Sequence, residues 1–181
     1  MKGIIFNIAE QFITTHYGDD TLETIMEDCK LITKDPFVGP GTYPDGDLLE
    51  IVRIASEKVE LHSDEFLKRL GHFTFGKLAE RHPYFVANYE HPKQFLLTVD
   101  NVIHVEVRKL YNGTQLPMFQ YAEPNAKELI ITYYSKRKMY ALMEGLINGV
   151  ADHFNIAIEQ QQNKYIKDGN EFCNYHLKFA E

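Results

Sequence analysis

The order in which helical and strand patterns occur along the chain is the strongest constraint on its fold. Apolar residues recur at helical spacing through most of the first 110 residues. Residues typical of strands, which are β-branched and aromatic, concentrate later, over residues 129–134, 156–162 and 172–179. Helices followed mostly by strands are typical of the α+β class. With 181 residues, the chain is long enough for one domain with a buried core.

Hydrophobic spacing predicts the bounds of the helices. Apolar residues at intervals of three and four predict five helices, over residues 3–16, 20–31, 47–59, 63–82 and 139–154. Residues 20–23 (DTLE) and 47–50 (DLLE) resemble capping boxes that open the second and third helices. Ser63 is the predicted N-cap of the fourth helix. Gly71, inside that helix, indicates either close packing or a hinge.

Residues 92–112 fit two local structures and contain an informative histidine. Alternation over residues 102–108 fits a strand, whereas an apolar stripe from Leu96 to Leu110 fits a helix with His104 at its edge. The whole span is too long for a typical strand, which favours the helix. His104 has the most apolar neighbourhood of the eight histidines. It is either a metal ligand or, more commonly for a lone histidine, a core residue bonded to a backbone carbonyl.

Three polar side chains alternate where the predicted strand over residues 129–134 ends. Tyr133, Ser135 and Arg137 are two residues apart, so extended backbone places all three on one face. Two hydroxyl groups and a guanidinium that converge from one face match a carboxylate or a phosphate. A solvated strand end is the alternative interpretation. The segment lies between a strand and a helix that both have buried patterns, which favours a binding site.

Charge and hydropathy argue against several classes of partner. The net charge is −7 and no basic run stands out, which disfavours nucleic acid or an anionic membrane as a partner. Met1-Lys2-Gly3 leads directly into an amphipathic segment, so no signal peptide is expected. No apolar run reaches the roughly 20 residues of a membrane span. Two cysteines give no disulfide framework. A soluble, cytoplasmic protein is therefore predicted.

The spacing of His104 and the three polar residues resembles a family signature. The histidine opens the pattern HxxVxKLY, and Tyr-x-Ser-x-Arg follows downstream, as in the H-NOX family of heme-nitric oxide/oxygen binding domains. The resemblance, to the bacterial stand-alone nitric oxide sensors of that family, spans the whole chain. It includes MKGIIFN at the start, the Gly71 segment, Leu116-Pro117, GLINGVA and the last strand.

The resemblance implies one domain over residues 1–181 with an α+β fold. Residues 1–62 would form an N-terminal helical subdomain. Residues 63–181 would form a subdomain with the proximal helix, further helices and an antiparallel sheet. Heme b, which is iron protoporphyrin IX, would lie between the two subdomains.

The resemblance also implies roles for individual residues. His104 would be the proximal ligand of the heme iron. Tyr133, Ser135 and Arg137 would hold the heme propionates, which agrees with the carboxylate-binding face described above. Pro117 would press on the porphyrin and distort it. The residues that match the distal pocket, on the gas-binding side of the heme, are Ile5, Ala9, Thr74, Leu78, Leu142 and Leu146.

Leu142 implies which gas the protein senses. It stands where oxygen-binding relatives carry a tyrosine whose hydroxyl bonds the gas. Tyr140 is two positions away, about 200° around the helix, so we do not expect it to substitute. Thr74 is the one polar side chain among the matched distal positions. An apolar pocket leaves bound oxygen without a strong donor but does little harm to nitric oxide. We therefore predict a sensor of nitric oxide, which also binds carbon monoxide and discriminates against oxygen.

The resemblance implies a sensor and not an enzyme. Nitric oxide is expected to weaken the bond between iron and His104, which shifts the helical region against the sheet region near Gly71. The signal would pass to a separate partner, such as a histidine kinase or a cyclic-di-GMP enzyme. The alternatives are an oxygen-binding H-NOX sensor, a heme enzyme and a heme-free binding module. Cys173 and His176 supply only two of the four ligands of a structural zinc site, so a plain strand pair is preferred.

Overall fold

The structure is a computed structural model that describes residues 1–110, 113 and 115–180. Its helices are α1 (Gly3–Tyr17), α2 (Asp19–Asp28), α3 (Asp45–Lys58), α4 (Ser63–Arg81), α5 (Pro92–Thr98), α6 (His104–Leu110) and α7 (Tyr140–Phe154). Its strands are β1 (Met118–Ala122), β2 (Glu128–Tyr134), β3 (Ile158–Lys167) and β4 (Asn170–Phe179). The predicted α+β fold, with helices first and strands later, is confirmed.

The strands form one antiparallel sheet in the order β1-β2-β4-β3. Lys167 pairs with Asn170 at the end of the β3–β4 hairpin. The two residues between them, Asp168 and Gly169, have φ angles of 51° and 74°, as a two-residue type I′ turn requires. Asp-Gly is a dipeptide that such turns favour. The sequence pattern did not predict β1, because five residues alternate too briefly to stand out.

Two hydrophobic clusters share α4. The helical cluster joins α1, α2 and α3 to the N-terminal half of α4, around buried residues that include Phe12 and Leu70. The sheet cluster joins the sheet and α7 to the C-terminal half of α4, around residues that include Phe75 and Tyr175. α4 therefore links the two parts of the molecule. The division into subdomains over residues 1–62 and 63–181 stays a prediction.

α4 and α7 approach each other through their backbones. A β-carbon on Gly71 would collide with the carbonyl oxygen of Leu142, and one on Gly145 would collide with the carbonyl oxygen of Lys68. Glycine at these two positions lets the helix axes come closer than side chains would allow. Close packing is therefore the interpretation of Gly71 that the contact supports.

The DLLE pattern does not cap α3, so this prediction is wrong. α3 begins two residues earlier, at Asp45, and Asp47 lies inside its first turn. The Asp47 carboxylate accepts hydrogen bonds from the backbone N–H groups of Ile32 and Thr33, at 2.8 and 3.0 Å. The Asp47 side chain therefore binds the backbone of the preceding loop and does not cap α3.

Two other helix ends differ from their predictions. α2 begins after Gly18 without a side-chain cap and ends at Asp28, not near residue 31. The N-cap of α4 is His62, whose Nδ1 accepts a hydrogen bond from the N–H of Asp64. The Ser63 hydroxyl instead lies 3.0 Å from the hydroxyl of Ser56. The hydroxyl of Ser63 is thus used by a residue on α3, which the local sequence pattern does not reveal.

Residues 92–110 are helical throughout, which confirms the helix and excludes the strand. α5 leads into a π turn over Val99–Ile103, and α6 continues from His104. The N–H of His104 donates to the carbonyl of Val99, five residues earlier. Such turns are rare and often lie near functional sites. Tyr111 and Asn112, which the prediction included, lie outside the described residues.

Candidate functional site

A cavity of about 600 Å³ lies where the helical cluster meets the sheet cluster. Most of the side chains that line it are aliphatic or aromatic, and α4, α7, β1 and residues 95–107 supply many of them. Sites for large ligands typically have volumes of about 300–1,000 Å³ and mostly apolar walls. The cavity therefore suits a large apolar molecule.

His104 lies on the wall of this cavity, at the start of α6. Its side chain is only 12% exposed. The Phe119 ring packs against it with 5.2 Å between ring centroids, and Asp100 Oδ1 lies 3.3 Å from Nδ1. Burial lowers the pKa of His104 below its ordinary value of 6.5, and the raising effect of Asp100 does not overcome burial. The imidazole is therefore neutral at pH 7, which is the form that binds a metal.

Tyr133, Ser135 and Arg137 all line the same cavity, from the end of β2 and the segment after it. Tyr133 and Ser135 are buried, and the Arg137 side chain is 14% exposed. The backbone N–H of Arg137 donates a hydrogen bond of 3.2 Å to the Ser135 hydroxyl. Burial raises the pKa of Tyr133, so its hydroxyl remains a donor at neutral pH. The structure thus brings the three residues together with His104 around one cavity.

Arg137 has partners that were not predicted. Its Nε donates to Asp45 Oδ2 at 2.8 Å, and its Nη1 donates to the carbonyl of Gln115 at 2.6 Å. Burial alone would raise the pKa of Asp45, but hydrogen bonds from the ammonium of Met1 and from Arg137 outweigh burial and hold that pKa below its ordinary value. Guanidinium has five N–H donors, so these two contacts leave capacity for a carboxylate from a ligand.

The other predicted site residues divide into two groups. Those that line the cavity are Pro117, Ile5, Thr74, Leu78, Leu142 and Leu146. Ala9 does not line it, because its short side chain is buried within the helical cluster. Thr74 is 2% exposed, and its hydroxyl has no hydrogen-bond partner among the described residues. A buried hydroxyl without a partner that borders a cavity is suited to a polar group of a ligand.

Tyr140 does not face the cavity. Its hydroxyl donates a hydrogen bond of 2.6 Å to Glu171 Oε1 on β4. Its ring packs against Tyr133, with 5.8 Å between centroids. Burial, with the nearby Glu171 carboxylate, raises the pKa of the Tyr140 hydroxyl. This placement agrees with the expectation that Tyr140 does not substitute for a tyrosine at position 142.

The sequence reasoning missed several ionisable residues at or beside the cavity, among them Asp45, His82 and Asp100. Asp45 is distant from Arg137 in sequence, and no local signal links the two. His82, the C-cap of α4, also lines the cavity. Asp100 could have been found, because a residue four positions before His104 on a helix lies on the same face.

Other features of the described residues bear on metals and membranes. Within residues 1–110, 113 and 115–180, no three His, Cys, Asp or Glu side chains converge as a metal site. Cys173 is buried on β4, and His176 Nε2 lies 3.2 Å from Glu128 Oε2, which supports a plain strand pair. Across the same residues, every helix is too short or too polar to cross a membrane.

The site and the fold together define a class of cofactor-binding domain. One neutral, buried imidazole reaches a large apolar cavity, and hydroxyl and guanidinium donors line that cavity as well. A flat, apolar prosthetic group with a metal centre and acidic substituents fits this donor set.

Comparison with known proteins gives the family. The Haem-NO-binding family matches residues 2–162, so the chain belongs to that family of H-NOX domains. A mutant of the Fe(II) unliganded H-NOX protein from K. algicida is 30% identical, with a TM-score of 0.91 over 100% of this chain and 97% of that chain. The H-NOX protein from S. oneidensis in the Fe(II)NO ligation state is 27% identical, with a TM-score of 0.91 over 100% of both chains. The chain is thus a heme-binding gas sensor domain, and domains of this kind are generally non-catalytic.

Proposed function

We propose that the protein binds heme b through His104 and senses nitric oxide. The observation that carries the proposal is the neutral, largely shielded His104 on the wall of an apolar cavity of about 600 Å³. In this proposal His104 is the iron ligand. When bound, a ferrous heme would supply an iron centre that can bind a diatomic gas.

The polar residues of the cavity have a separate role in the proposal. Tyr133 and Ser135 would donate hydrogen bonds to the heme propionates, and Arg137 would add a charge-assisted bond. Each contact of the charged kind is worth about 1.5–3 kcal/mol when well desolvated. The two hydrogen bonds that Arg137 already makes orient its guanidinium. Pro117, which lines the cavity, would contact the porphyrin.

The apolar wall supports nitric oxide as the ligand. Leu78, Leu142 and Leu146 line it from α4 and α7. None of these three side chains can donate a hydrogen bond to bound oxygen or act as the acid–base group that heme enzymes use. The proposal is therefore a sensor of nitric oxide that also binds carbon monoxide, without catalysis.

The proposal includes a separate signalling partner. A change at His104 moves α6, which a π turn joins to α5 and so to the sheet cluster. We propose that a histidine kinase or a cyclic-di-GMP enzyme reads this change in the cytoplasm. Free thiols at Cys29 and Cys173 are in keeping with a reducing compartment.

The histidine assignment is tested by comparing His104→Gly with His82→Gly. Both histidines line the cavity, so the second variant controls for loss of an imidazole there. His104→Gly is expected to lose the absorption spectrum of histidine-bound ferrous heme, and added imidazole should restore it. His82→Gly should keep both that spectrum and its shift with nitric oxide. A colourless wild-type protein after heme supplementation, or an unchanged spectrum in His104→Gly, would contradict the proposal.

One observation favours a second candidate, an oxygen-binding H-NOX sensor. The buried Thr74 hydroxyl lacks a partner among the described residues and borders the cavity. A hydroxyl in that position could donate to bound oxygen. The absorption spectrum of the ferrous protein in air separates the two candidates, because only an oxygen-binding sensor would show a stable oxygen complex.

A further inference from the structure

The His104 ring is held by two neighbours. Asp100 Oδ1 lies 3.3 Å from its Nδ1, and the Phe119 ring lies at 5.2 Å with an interplanar angle of 34°. The two hydrogen-bonded side chains are largely shielded from water, with exposures of 12% for His104 and 26% for Asp100. Among the described residues, Asp100 is the hydrogen-bond partner of this ring.

We propose that Asp100 is a positioning residue that acts through His104: its carboxylate accepts a hydrogen bond from Nδ1–H, which leaves Nε2 to bind iron. This inference rests on the proposed function, since it takes His104 as the ligand. A neutral imidazole carries one proton, and the nitrogen that carries it cannot bind a metal. An ionised carboxylate only accepts hydrogen bonds, so the proton must lie on Nδ1. Asp100 thereby selects one tautomer and one ligating atom.

The carboxylate also strengthens His104 as a ligand. A hydrogen bond from Nδ1–H to an anion shifts electron density toward Nε2, which makes that atom more basic. Loss of such a partner typically lowers metal affinity by about 10- to 100-fold. Asp100 therefore sets the strength of the bond between His104 and iron, which is the bond from which the proposed signal starts.

The local backbone builds this pair without distant elements. Asp100 belongs to the π turn over Val99–Ile103, and the N–H of His104 closes that turn on the carbonyl of Val99. The two side chains are four residues apart and therefore lie on one face of the helix. The same turn thus positions both His104 and Asp100, so a displacement of one residue directly alters its hydrogen bond to the other.

The test is the iron–histidine stretching band of the ferrous, heme-loaded protein, measured by resonance Raman spectroscopy. Asp100→Ala should move the band to lower frequency. Asp100→Asn should move it less, because an amide oxygen accepts a hydrogen bond but carries no charge. Asp100→Glu should leave it close to the wild-type position. Glu106→Gln is the matched control: it removes one negative charge from α6, but Glu106 bonds Lys109 at 2.6 Å and does not bond His104.

Each result separates this inference from the proposed function. If His104→Gly abolishes the band while the Asp100 variants leave it in place, the role of Asp100 is wrong and the function stands. An equal shift in Glu106→Gln would also overturn the inference, because charge alone would then explain it. If the wild-type protein shows no such band, the proposed function itself fails. If Asp100→Ala does not bind heme, the band positions of Asp100→Asn and Asp100→Glu test the role of Asp100 instead.

Discussion

Arg137 Nε lies 2.8 Å from Oδ2 of Asp45, although the two residues are 92 positions apart. The other oxygen of Asp45, Oδ1, accepts a hydrogen bond of 2.6 Å from the ammonium of Met1. One carboxylate thus joins α1 and α3 of the helical cluster to the segment after β2 that carries Arg137. The ion pairs of Asp45 therefore connect these segments directly beside the cavity.

Asp45→Asn should weaken this tie. The Asp45 side chain is 36% exposed, and partly exposed ion pairs are worth at most about 1 kcal/mol. We expect the variant to lose about 1 kcal/mol in the free energy of unfolding at pH 7, measured by urea denaturation. Asp35→Asn, at an exposed position, should change the free energy of unfolding by less than about 0.5 kcal/mol.

The loss should depend on pH in a defined direction. The pKa of Asp45 is lowered in the folded protein. A lowered pKa contributes stability that is fully present above the ordinary Asp value of about 3.9, and this contribution disappears as the pH falls toward the lowered pKa. The difference between wild type and Asp45→Asn should therefore be constant from pH 7 to pH 5 and shrink below about pH 4. A difference that grows at low pH would contradict this account.

Thr74→Val should stabilise the heme-loaded protein in the absence of gas. Valine has nearly the same shape but removes a buried hydroxyl that lacks a partner among the described residues. A buried hydroxyl without a partner lowers the free energy of unfolding by about 1–3 kcal/mol. We therefore expect Thr74→Val to raise the free energy of unfolding by about 1 kcal/mol, measured by urea denaturation. Thr132→Val is the control, because the Thr132 hydroxyl donates to Asn174 Oδ1 at 2.8 Å. Thr132→Val should lower the free energy of unfolding by about 1 kcal/mol. A loss of stability in both variants would show that the Thr74 hydroxyl is satisfied.

Leu142→Tyr should make the ferrous protein hold oxygen. Leu142 lines the cavity from α7, so a tyrosine there brings a hydroxyl donor to the bound gas. One such hydrogen bond is worth about 0.5–1.5 kcal/mol, which corresponds to up to roughly tenfold slower oxygen loss. Leu142→Phe adds the same ring without the hydroxyl. Absorption spectra in air should show a stable oxygen complex for tyrosine and not for phenylalanine, and equal behaviour of the two would refute a role for the hydroxyl.

Two glycines of α4 and α7 should respond to alanine with opposite signs. A β-carbon on Gly145 would collide with the backbone of α4. Gly145→Ala should therefore lower the free energy of unfolding by about 1–3 kcal/mol or more. A β-carbon on Gly76, also on α4, meets nothing within 4 Å. Gly76→Ala should therefore raise the free energy of unfolding by about 0.8–1 kcal/mol, because alanine is more favourable than glycine inside a helix. Thermal unfolding of both variants, compared with wild type, tests the close approach of the helices.

The parts of the fold that could be predicted are those with repeated local signals. α1, α4 and α7 follow from apolar spacing, and the β3–β4 turn follows from Asp168-Gly169. The segment around His104 was locally ambiguous, and only its length favoured a helix. β1 was missed because a five-residue strand repeats its pattern too few times.

The parts that could not be predicted depend on partners that are distant in sequence. Asp47 matches an N-cap pattern, yet the loop around Thr33 takes its carboxylate. Arg137 was recognised as an anion-binding side chain, but nothing near it in sequence indicates Asp45. The apolar cavity itself is a property of two clusters that meet, so no single segment encodes it.

The glycine contacts between α4 and α7 have a mechanical consequence. Where side chains separate two helices, a small displacement can be absorbed by a change of rotamer. At Gly71 and Gly145 there is no side chain to change rotamer, so we expect a displacement of α4 to move α7 with it. We therefore expect α4 and α7 to move as one rigid body, with any hinge in the segments that connect them to the rest of the molecule.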